Sequence, residues 1–428
     1  MIRQNNNEIE IGNYSPFMNE LEVISVVEAL RLFCKPIKAL EWGSGNSTAY
    51  FPKYLPPGSQ WTSIEHNINW ANKVKALVSQ LGVANIQIHH VPNSDGWSEG
   101  LGDGTIETFR EYVLFPETLQ EKFQLILVDG RSRAECMQVG WMLLERPGIM
   151  ILHDAQRSKY DRGIPSDCFF LRLTNPRIDI DGQISTLFMS KSVRVTGWLH
   201  DALRRILPDY MLIDMDQTSL SEHRKRITWL DLLDLKSINL YAGEIPKRVE
   251  YEHCIGLSLS HGDSCHIHHD ITMPFPLDDE TIDSFQSEDV FEHIAYDMLN
   301  PIIQEIFRVL KPGGLFRLSM PDYRCDVLYE RSIRNDANEI IFDPGGGGTP
   351  DNPGHLWFPT IERVTELLNG TQFSERGKIN YLQYYRPDGS SVTRPIDYSH
   401  GFVQRTPDHD ARVQSPYRPM SLVVDLIK

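Results

Sequence analysis

Two acidic residues and two closely spaced glycines stand near the start of the chain in an order suited to binding a small molecule. Glu41 ends an apolar stretch and precedes Gly43 and Gly45, and Glu65 follows Gly45 by 20 residues. Glycines let the backbone turn tightly and approach a ligand, and the amide groups that begin a following helix are free to bind it. A carboxylate such as that of Glu65 can accept hydrogen bonds from both hydroxyls of a ribose. The pattern therefore predicts a nucleoside-binding site.

The charge of Glu41 narrows the class of nucleoside. Because Glu41 comes directly before the glycines, it would repel a pyrophosphate and attract an ammonium or sulfonium group. The sequence thus favours S-adenosylmethionine (SAM) over a dinucleotide such as NAD. An ordinary turn between a strand and a helix, with two surface carboxylates, is the alternative.

The elements around these residues alternate in the order that a parallel α/β sheet requires. Apolar runs predict strands at 39–42, 61–65, 86–91, 124–128 and 149–153, and helical spacing predicts helices at 21–34, 69–81 and 133–145. Asp129 follows one of these strands, and His153 and Asp154 come at the end of another. Open α/β sheets bind their ligands at the carboxyl ends of the strands, so we expect these side chains near the nucleoside site.

Length and charge limit the remaining possibilities. A chain of 428 residues is longer than one hydrophobic core usually organises, so we expect two domains, at 1–222 and 223–428. The net charge of −16 disfavours nucleic acid as a partner. The sequence shows no apolar run long enough for membrane insertion and no signal peptide, and its six cysteines form no CxxC pair. We therefore expect a cytoplasmic protein.

Four segments of the first half resemble motifs of class I SAM-dependent methyltransferases. They are Leu40–Thr48, Ser63–His66, Leu127–Arg131 and Pro147–Asp154. The resemblance implies that Glu41, Gly43, Ser44 and Gly45 hold the methionine part of SAM, Glu65 the ribose, and the loop at Asn93 the adenine. Ser47 and His66, which lie within these motifs, complete the expected cofactor-binding set, with Asp129 facing the methyl group.

An O-methyltransferase must align its acceptor and remove the acceptor's proton. His153 is the first choice of base because its ordinary pKa lies near neutrality; a hydrogen-bonded strand-end histidine without a catalytic role is the alternative. Asp129 and Asp154 are the other catalytic candidates. The same two carboxylates resemble those that hold Mg²⁺ in small-molecule O-methyltransferases, so Mg²⁺ or Mn²⁺ is an open expectation, although the sequence shows no third ligand.

The second half resembles a different class I methyltransferase subfamily, one whose last motif reads LKPGG. The resemblance rests on His269-Asp270-Ile271, Ser287–Ile294 and Arg308–Gly314. It implies a fold of two Rossmann-like SAM-methyltransferase domains in tandem, each with a mostly parallel, doubly wound sheet. Gly243, Asp270 and Glu288 would then bind cofactor in the second domain, and Glu288 would also be catalytic.

The second half departs from its family at two positions. Tyr241 stands where we expect the first glycine, and Ser258 replaces the acidic ribose ligand. Either SAM binding is remodelled there, or the second domain is a non-catalytic scaffold or substrate-binding module. The histidines at 261–269 alternate along a predicted strand, which does not favour a zinc site.

The resemblance also bears on the acceptor. Similar domains occur with glycosyltransferases in polysaccharide assembly, and the tandem arrangement resembles methyltransferase parts of glycan-modifying proteins of chlorella viruses. It implies methylation of sugar hydroxyls of a glycan, with a glycosyltransferase as an accompanying domain or partner. Aromatic residues such as Trp97, His355, Trp357 and Tyr385 fit sugar stacking. A small-molecule or phenolic O-methyltransferase is the alternative.

Overall fold

The computed structural model describes residues 14–94, 97, 102–176, 185–215, 221 and 225–428. The chain divides into two compact units. The first unit takes its described residues from Met1–His223 and Lys247–Glu252, and the second takes them from Arg224–Pro246 and His253–Lys428. The predicted boundary between residues 222 and 223 lies outside the described residues. None of the described helices is both long enough and apolar enough to cross a membrane.

The first unit alternates strands and helices along most of its length. Its strands are β1 (Lys38–Trp42), β2 (Gln60–Glu65), β3 (Ile86–His90), β4 (Phe123–Val128), β5 (Leu144–Leu152), β6 (Phe169–Thr174), β7 (Ser185–Ser190) and β8 (Leu212–Met215). Its helices are α1 (Glu20–Leu30), α2 (Asn46–Tyr50), α3 (Ile68–Gln80), α4 (Ile106–Leu114), α5 (Arg133–Leu143) and α6 (Val193–Ile206). The first four predicted strands match β1 to β4 to within one residue at each end.

One eight-stranded sheet runs through the first unit in the order β3-β2-β1-β4-β5-β7-β6-β8. Strand β1 is parallel to both β2 and β4, whereas β7 is antiparallel to β5 and β6. Leu125 and Ile126 in β4 point to opposite faces of the sheet, and both are fully buried. Both faces of this strand are covered, which explains why its sequence is a continuous apolar run. The strand order changes direction between β1 and β4, which is the position where open α/β sheets bind ligands.

The segment Lys247–Glu252 packs with the first unit although it comes after the predicted boundary. Glu250 Oε1 accepts hydrogen bonds from the backbone amides of Cys34 and Lys35, each at 3.0 Å. Val249 N donates to the carbonyl of Leu32 at 3.0 Å. These long-range bonds hold a six-residue segment that local sequence patterns assign to the following domain.

The second unit has the same alternation, followed by additional short elements. Its strands are β9 (Asn239–Ala242), β10 (Cys254–Ser258), β11 (His266–His268), β12 (Ile282–Glu288), β13 (Leu310–Pro321), β14 (Ile333–Arg334), β15 (Ile340–Phe342), β16 (Gly348–Thr349), β17 (Asn352–Pro353), β18 (Lys378–Tyr385), β19 (Ser391–Thr393) and β20 (Ser421–Ile427). Its helices are α7 (Trp229–Leu232), α8 (Leu299–Val309), α9 (Asp326–Arg331), α10 (Ile361–Asn369) and α11 (Gln372–Arg376).

The main sheet of the second unit repeats the arrangement of the first. Its order is β11-β10-β9-β12-β13-β20-β18-β19, and β9 to β13 pair in parallel. Strand β20 lies antiparallel between β13 and β18, as β7 lies between β5 and β6. The predicted fold class, two mostly parallel Rossmann-like sheets in one chain, is confirmed.

A buried ion pair joins β13 to β20 in the second unit. Arg317 is fully buried, and its Nε and Nη2 atoms donate to the two carboxylate oxygens of Asp425 at 2.8 and 2.7 Å. The remaining guanidinium nitrogen donates to the carbonyl oxygens of Asp397 and Gly401. The charge of Arg317 is thus compensated on every side, as a buried guanidinium requires.

We expect Asp425→Ala to lower the free energy of unfolding by about 3–5 kcal/mol, because it leaves the Arg317 charge buried without its counterion. Glu362→Ala is the matched control, since it breaks a partly exposed pair with Arg324 and should cost at most about 1 kcal/mol. Chemical denaturation of both variants measures the difference. Equal losses of unfolding free energy in the two variants would show that the buried pair stabilises the fold no more than the partly exposed pair does.

Candidate active site

The loop after β1 approaches the loop after β4 too closely for any side chain. Gly43 has a φ of +95°, and a Cβ atom there would lie 2.6 Å from Gly130 Cα. The amide of Gly43 donates to the carbonyl of Ile64 at 2.9 Å, and the amide of Asp129 donates to the carbonyl of Trp42 at the same distance. The ends of three strands are therefore tied together around Gly43.

Glu41 lies beneath this loop and is fully buried. Its carboxylate accepts hydrogen bonds from Ser47 Oγ at 2.5 Å, Thr48 Oγ1 at 2.6 Å and Trp61 Nε1 at 2.9 Å. Burial raises the pKa of Glu41 to about 7, although these hydrogen bonds oppose the rise. Glu41 is not among the residues that line the adjacent cavity, so its contacts hold the first turn of α2 against β1 and β2.

Glu65 stands at the end of β2, with its carboxylate at the wall of the cavity. One oxygen accepts from the amide of Ser44 at 3.1 Å and the other from the amide of Asn67 at 2.8 Å. A carboxylate has about four acceptor positions, so two remain for other donors. His66 Nδ1 also lies 3.0 Å from Glu65 Oε1.

The cavity itself lies at the carboxyl ends of β1, β2 and β4 and encloses about 340 Å³, within the range of small-ligand sites. It brings together seven of the predicted site residues: Gly43, Ser44, Gly45, Ser47, Glu65, His66 and Asp129. Sequence reasoning missed seven others: Phe17, Asn46, Asn67, Trp70, Gly130, Arg131 and Arg133. Of these, Asn67 carries a local signal, because an asparagine directly before a helix is a typical N-cap.

Asp129, His153 and Glu22 form a row of alternating charges. His153 Nδ1 lies 2.8 Å from Asp129 Oδ1, and its Nε2 lies 3.7 Å from Glu22 Oε2. Burial alone would lower the pKa of His153, but Asp129 and Glu22 raise it to about 10. Burial alone would raise the pKa of Asp129, but His153 and Arg133 hold it below its usual value. At neutral pH His153 is therefore an imidazolium, which has no lone pair for removing a proton.

Arg133 lies between the two carboxylates that we considered as metal ligands. Its guanidinium nitrogens are 3.1 Å from Asp129 Oδ1 and 3.4 Å from Asp154 Oδ2, and Nη1 donates to the carbonyl of His153 at 2.6 Å. Among the described residues, Asp129 and Asp154 belong to no cluster of three potential metal ligands. The guanidinium supplies the positive charge that an ion would otherwise bring.

Asn93 lies outside the cavity lining, and its side chain donates to the carbonyl of Ser94 at 2.9 Å. Instead, rings gather beside the end of β2. The ring of His66 contacts those of Trp97 and Phe109 edge to face, with centroids 5.3 and 5.4 Å apart. This aromatic group arises from residues far apart in the sequence, and no local pattern predicted it.

The second unit has an equivalent loop with different residues. The amide of Gly243 donates to the carbonyl of Leu257 at 3.0 Å, as Gly43 does to Ile64, and Gly243 has a φ of +85°. Gly243 therefore occupies the place of Gly43. By the same strand register Tyr241 takes the place of Glu41. The expectation that Tyr241 replaces the first glycine of the loop is therefore wrong by two residues.

The ribose position of the second unit shows an exchange of residue types. Ser258 aligns with Glu65 at the end of the second strand, and Glu244 aligns with Ser44 after the glycine. The hydroxyl of Ser258 donates to the carboxylate of Glu244. A carboxylate thus stands beside this position in both units, although it comes from a different loop in each.

Glu288 aligns with Asp129 but is bound by the chain itself. Its oxygens accept from Gln286 Nε2 at 2.8 Å and from the amide of Gln404 at 3.0 Å. Asp270 follows β11 and accepts from the amide and hydroxyl of Thr272 at 2.9 and 2.8 Å. The loop at Gln404 therefore binds a carboxylate whose counterpart in the first unit lines the cavity.

The aromatic residues proposed for sugar stacking are not all available. His355, Trp357 and Tyr385 are buried, and the indole nitrogen of Trp357 donates to the carbonyl of Phe291 at 2.9 Å. Phe17 and Trp70 are the aromatic residues that line the cavity, with 77% and 36% of their surface exposed.

Comparison with known families matches residues 195–318 to the family described as methyltransferase domain. The matched residues run from α6 through β13, so most of the matched stretch lies in the second unit.

A curated relative is similar to this chain over a short stretch. A protein of Mycolicibacterium smegmatis, named as a probable S-adenosylmethionine-dependent methyltransferase, is 34% identical over 107 residues, which are 25% of this chain and 34% of that protein. The chain thus spans about a third of the length of this relative.

Solved methyltransferase structures are also similar to this chain. The O-methyltransferase TomG from Streptomyces achromogenes, involved in tomaymycin synthesis and solved with SAM, is 15% identical, with a TM-score of 0.29 over 40% of this chain and 78% of its own. An O-methyltransferase from Bacillus cereus in complex with SAH is 12% identical, with a TM-score of 0.32 over 42% and 84%.

We expect Glu41→Gln and Glu65→Gln to have different effects. Glu41→Gln replaces one acceptor oxygen among three converging donors, so it should lower the free energy of unfolding by about 1–3 kcal/mol. Glu65→Gln removes the charge at the cavity wall, so it should weaken SAM binding at least about tenfold. Denaturation and calorimetry on both variants measure the two effects. A larger loss of SAM affinity in Glu41→Gln than in Glu65→Gln would contradict this division of roles.

The raised pKa of His153 predicts a loss of stability at high pH. A histidine of unperturbed pKa 6.5 that titrates near 10 in the folded state stabilises the fold fully below about pH 6.5, and this contribution disappears as the pH rises through 10. Wild type should therefore lose roughly 1–4 kcal/mol more than His153→Gln between pH 7 and 10.5. Denaturation across this range measures the loss. An NMR titration placing the His153 ring near pH 6.5 would contradict the prediction.

Proposed function

We propose that this chain is a SAM-dependent O-methyltransferase whose first unit binds SAM in the cavity at the ends of β1, β2 and β4. The observation that carries the proposal is the buried Glu65 carboxylate, which two backbone amides hold at the cavity wall. Its remaining acceptor positions suit the two hydroxyls of a ribose. The family match and the curated relative support the same class of reaction.

The residues of the cavity have separate tasks. Bound SAM would supply a methyl group activated by a positively charged sulfur. Asp129 places a negative charge at the same cavity, which favours a cationic ligand. Glu41 keeps the loop of Gly43 and Ser44 in position from below, so it is a positioning residue.

Asp129 also replaces His153 as the residue that receives the acceptor's proton. His153 is charged at neutral pH, so it orients Asp129 and stabilises its negative charge. Bound SAM would supply the methyl group by breaking its carbon–sulfur bond and leaving as S-adenosylhomocysteine, and the Asp129 carboxylate would accept the hydroxyl proton of the acceptor. Because Arg133 already places a positive charge beside Asp129 and Asp154, the proposed step does not depend on Mg²⁺ or Mn²⁺ there.

For the acceptor we propose a sugar hydroxyl of a glycan. The exposed rings of Phe17 and Trp70 at the cavity give an apolar surface on which the flat face of a sugar can pack. The same rings fit a phenol, so a small-molecule or phenolic acceptor is the second candidate. A glycosyltransferase partner stays a prediction.

The second unit is the weaker candidate for SAM binding. Glu244 supplies a carboxylate beside Ser258, which favours a remodelled site. Against it, Gln404 covers Glu288, and Tyr241 fills the place of Glu41. We therefore propose that the first unit transfers the methyl group and that the second unit has a supporting role.

Mass spectrometry of a glycan and phenol panel incubated with SAM tests these proposals on the full chain. Glu65→Ala should abolish transfer, because the ribose loses its charged acceptor. Glu244→Ala is the matched control and should leave one methyl group transferred at the wild-type rate. Asp129→Asn should lower turnover roughly 10²–10⁴-fold with little change in SAM affinity.

Three outcomes would overturn particular parts of the proposal. Transfer that survives Glu65→Ala and disappears in Glu244→Ala would place the chemistry in the second unit. Methylation of phenols without any methylated glycan would favour the second acceptor class. Normal turnover in Asp129→Asn would show that another group receives the proton.

A further inference from the structure

The second unit contains a carboxylate that is buried without compensation. Glu292 lies in a short helical turn, Phe291–His293, just after β12, and it is fully buried. Neither of its carboxylate oxygens has a hydrogen-bond partner among the residues that the structure describes. Buried carboxylates are normally paired or bound to a metal, so this group lacks the partner that its burial requires within the described part of the chain.

Two imidazoles stand beside this carboxylate. One potential ligand atom from each of Glu292, His293 and His355 lies within 4.8 Å of the other two. His355 Nε2 is 3.8 Å from Glu292 Oε1, and the two imidazole rings meet edge to face with centroids 4.6 Å apart. Two nitrogens and one oxygen donor thus converge on one point.

The hydrogen bonds of the two rings assign their protons. His293 Nδ1 lies 2.9 Å from the carbonyl oxygen of Gly354, which can only accept, so Nδ1 carries the hydrogen. Tyr323 donates its hydroxyl hydrogen to Asp343 Oδ2 at 2.6 Å, so it accepts from Nδ1 of His355. In both rings Nε2 is left with a lone pair. This arrangement is the one found in metal-bound histidines, whose other nitrogen donates to a carbonyl or carboxylate network.

The backbone holds the two segments in register. The amide of Leu356 donates to the carbonyl of Glu292 at 2.8 Å, and Trp357 Nε1 donates to the carbonyl of Phe291. A Cβ atom at position 346 would lie only 2.5 Å from the ring of His355, so the absence of a side chain on Gly346 leaves room for this ring. The ligand atoms are therefore positioned by the fold before any ion arrives.

We infer that Glu292, His293 and His355 form a binding site for a divalent transition-metal ion of the zinc type. Two histidines and one carboxylate are the ligand set of open zinc sites, in which a fourth position remains for water or a substrate oxygen. Imidazole ligands favour zinc, iron, cobalt or nickel over magnesium. Bonds of about 2.1 Å require the three atoms to close to about 3.4 Å from one another, which the exposed His293 side chain can accommodate.

A second cluster in the same unit shows why proximity alone does not suffice. Glu244, His261 and His266 also bring potential ligand atoms within 4.8 Å of one another. However, His266 Nε2 accepts from the amide of Ile245 at 3.0 Å, and its Nδ1 lies 2.9 Å from Asp263 Oδ1. Both nitrogens of that ring are engaged, so this cluster is a suitable control.

The inferred site goes beyond the proposed methyl transfer and does not depend on it. Glu292 follows the end of β12 by four residues, at the sheet edge where α/β proteins bind ligands. An ion there would offer its open position to an oxygen donor such as a hydroxyl or carboxylate. The site therefore adds a Lewis-acidic centre to a unit whose cofactor loop is altered.

Metal titration of the purified full chain tests the inference. We expect one Co²⁺ per chain at this site, with visible d–d absorption of a nitrogen and oxygen ligand set, and competition by Zn²⁺ in calorimetry. His293→Ala and Glu292→Gln should each weaken binding at least tenfold. Tyr323→Phe removes the acceptor that orients His355 and should weaken binding roughly 10–100-fold. His261→Ala is the control and should bind as wild type does.

The outcomes are distinguishable even if a buried variant fails to fold. Circular dichroism and thermal unfolding identify such a failure, and His293→Ala then decides, because this side chain is exposed. Binding that is unchanged in His293→Ala, lost equally in His261→Ala, or absent from wild type would overturn the site. None of these results depends on methyl transfer, so a failure of the inferred metal site can be distinguished from a failure of the proposed activity.

Discussion

Direct contact between the loop after β1 and the loop after β4 determines the geometry of the first unit's cleft. A side chain on Gly43 would collide with Gly130, and a side chain on Gly130 would meet the amide of Gly43 at 2.9 Å. Because these loops touch, Glu65 and Asp129 line a single cavity. Glu41 contributes from below by holding the helix that follows the glycines. The chemistry of the cleft therefore depends on a backbone contact in which no functional side chain takes part.

The two units show how one topology accommodates different chemistry. Their sheets share the same order of parallel strands and the same positive-φ glycine after the first strand. At the second strand end, however, Glu65 in one unit corresponds to Ser258 in the other, where Glu244 brings the carboxylate from the neighbouring loop. The fold specifies where charges gather, while individual residues decide which loop carries them and which ligand they can hold.

Much of the fold followed from local sequence. Continuous apolar runs predicted the strands around the cleft, and helical spacing predicted a helix at 69–81, which forms α3 (Ile68–Gln80). The glycine pair and Glu65 were also visible as a motif. Contacts between distant residues were not: the position of Arg133 between two carboxylates depends on the spacing of β4 and β5, and Lys247–Glu252 joins the first unit through bonds to residues more than 200 positions away.

The role of a strand-end carboxylate could not be predicted from its residue type either, because this role depends on contacts between residues that are distant in the sequence. Sequence alone predicts that both Glu41 and Glu65 contact the ligand, but three hydrogen-bond donors surround Glu41, whereas the cavity adjoins Glu65. His153 has an ordinary pKa in isolation, and only its packing between Asp129 and Glu22 makes it a cation. The charge and the role of such a residue depend on neighbours that the fold brings together, so the sequence alone does not determine them.

The two units also differ in what neutralises their buried acids. In the first unit the Arg133 guanidinium lies between Asp129 and Asp154, so the cation is part of the chain. In the second unit Glu292 is fully buried, and neither of its carboxylate oxygens has a hydrogen-bond partner among the described residues. The metal site that we infer in the second unit therefore lies at a buried carboxylate without a described partner, while the expected Mg²⁺ or Mn²⁺ site at Asp129 and Asp154 stays a prediction.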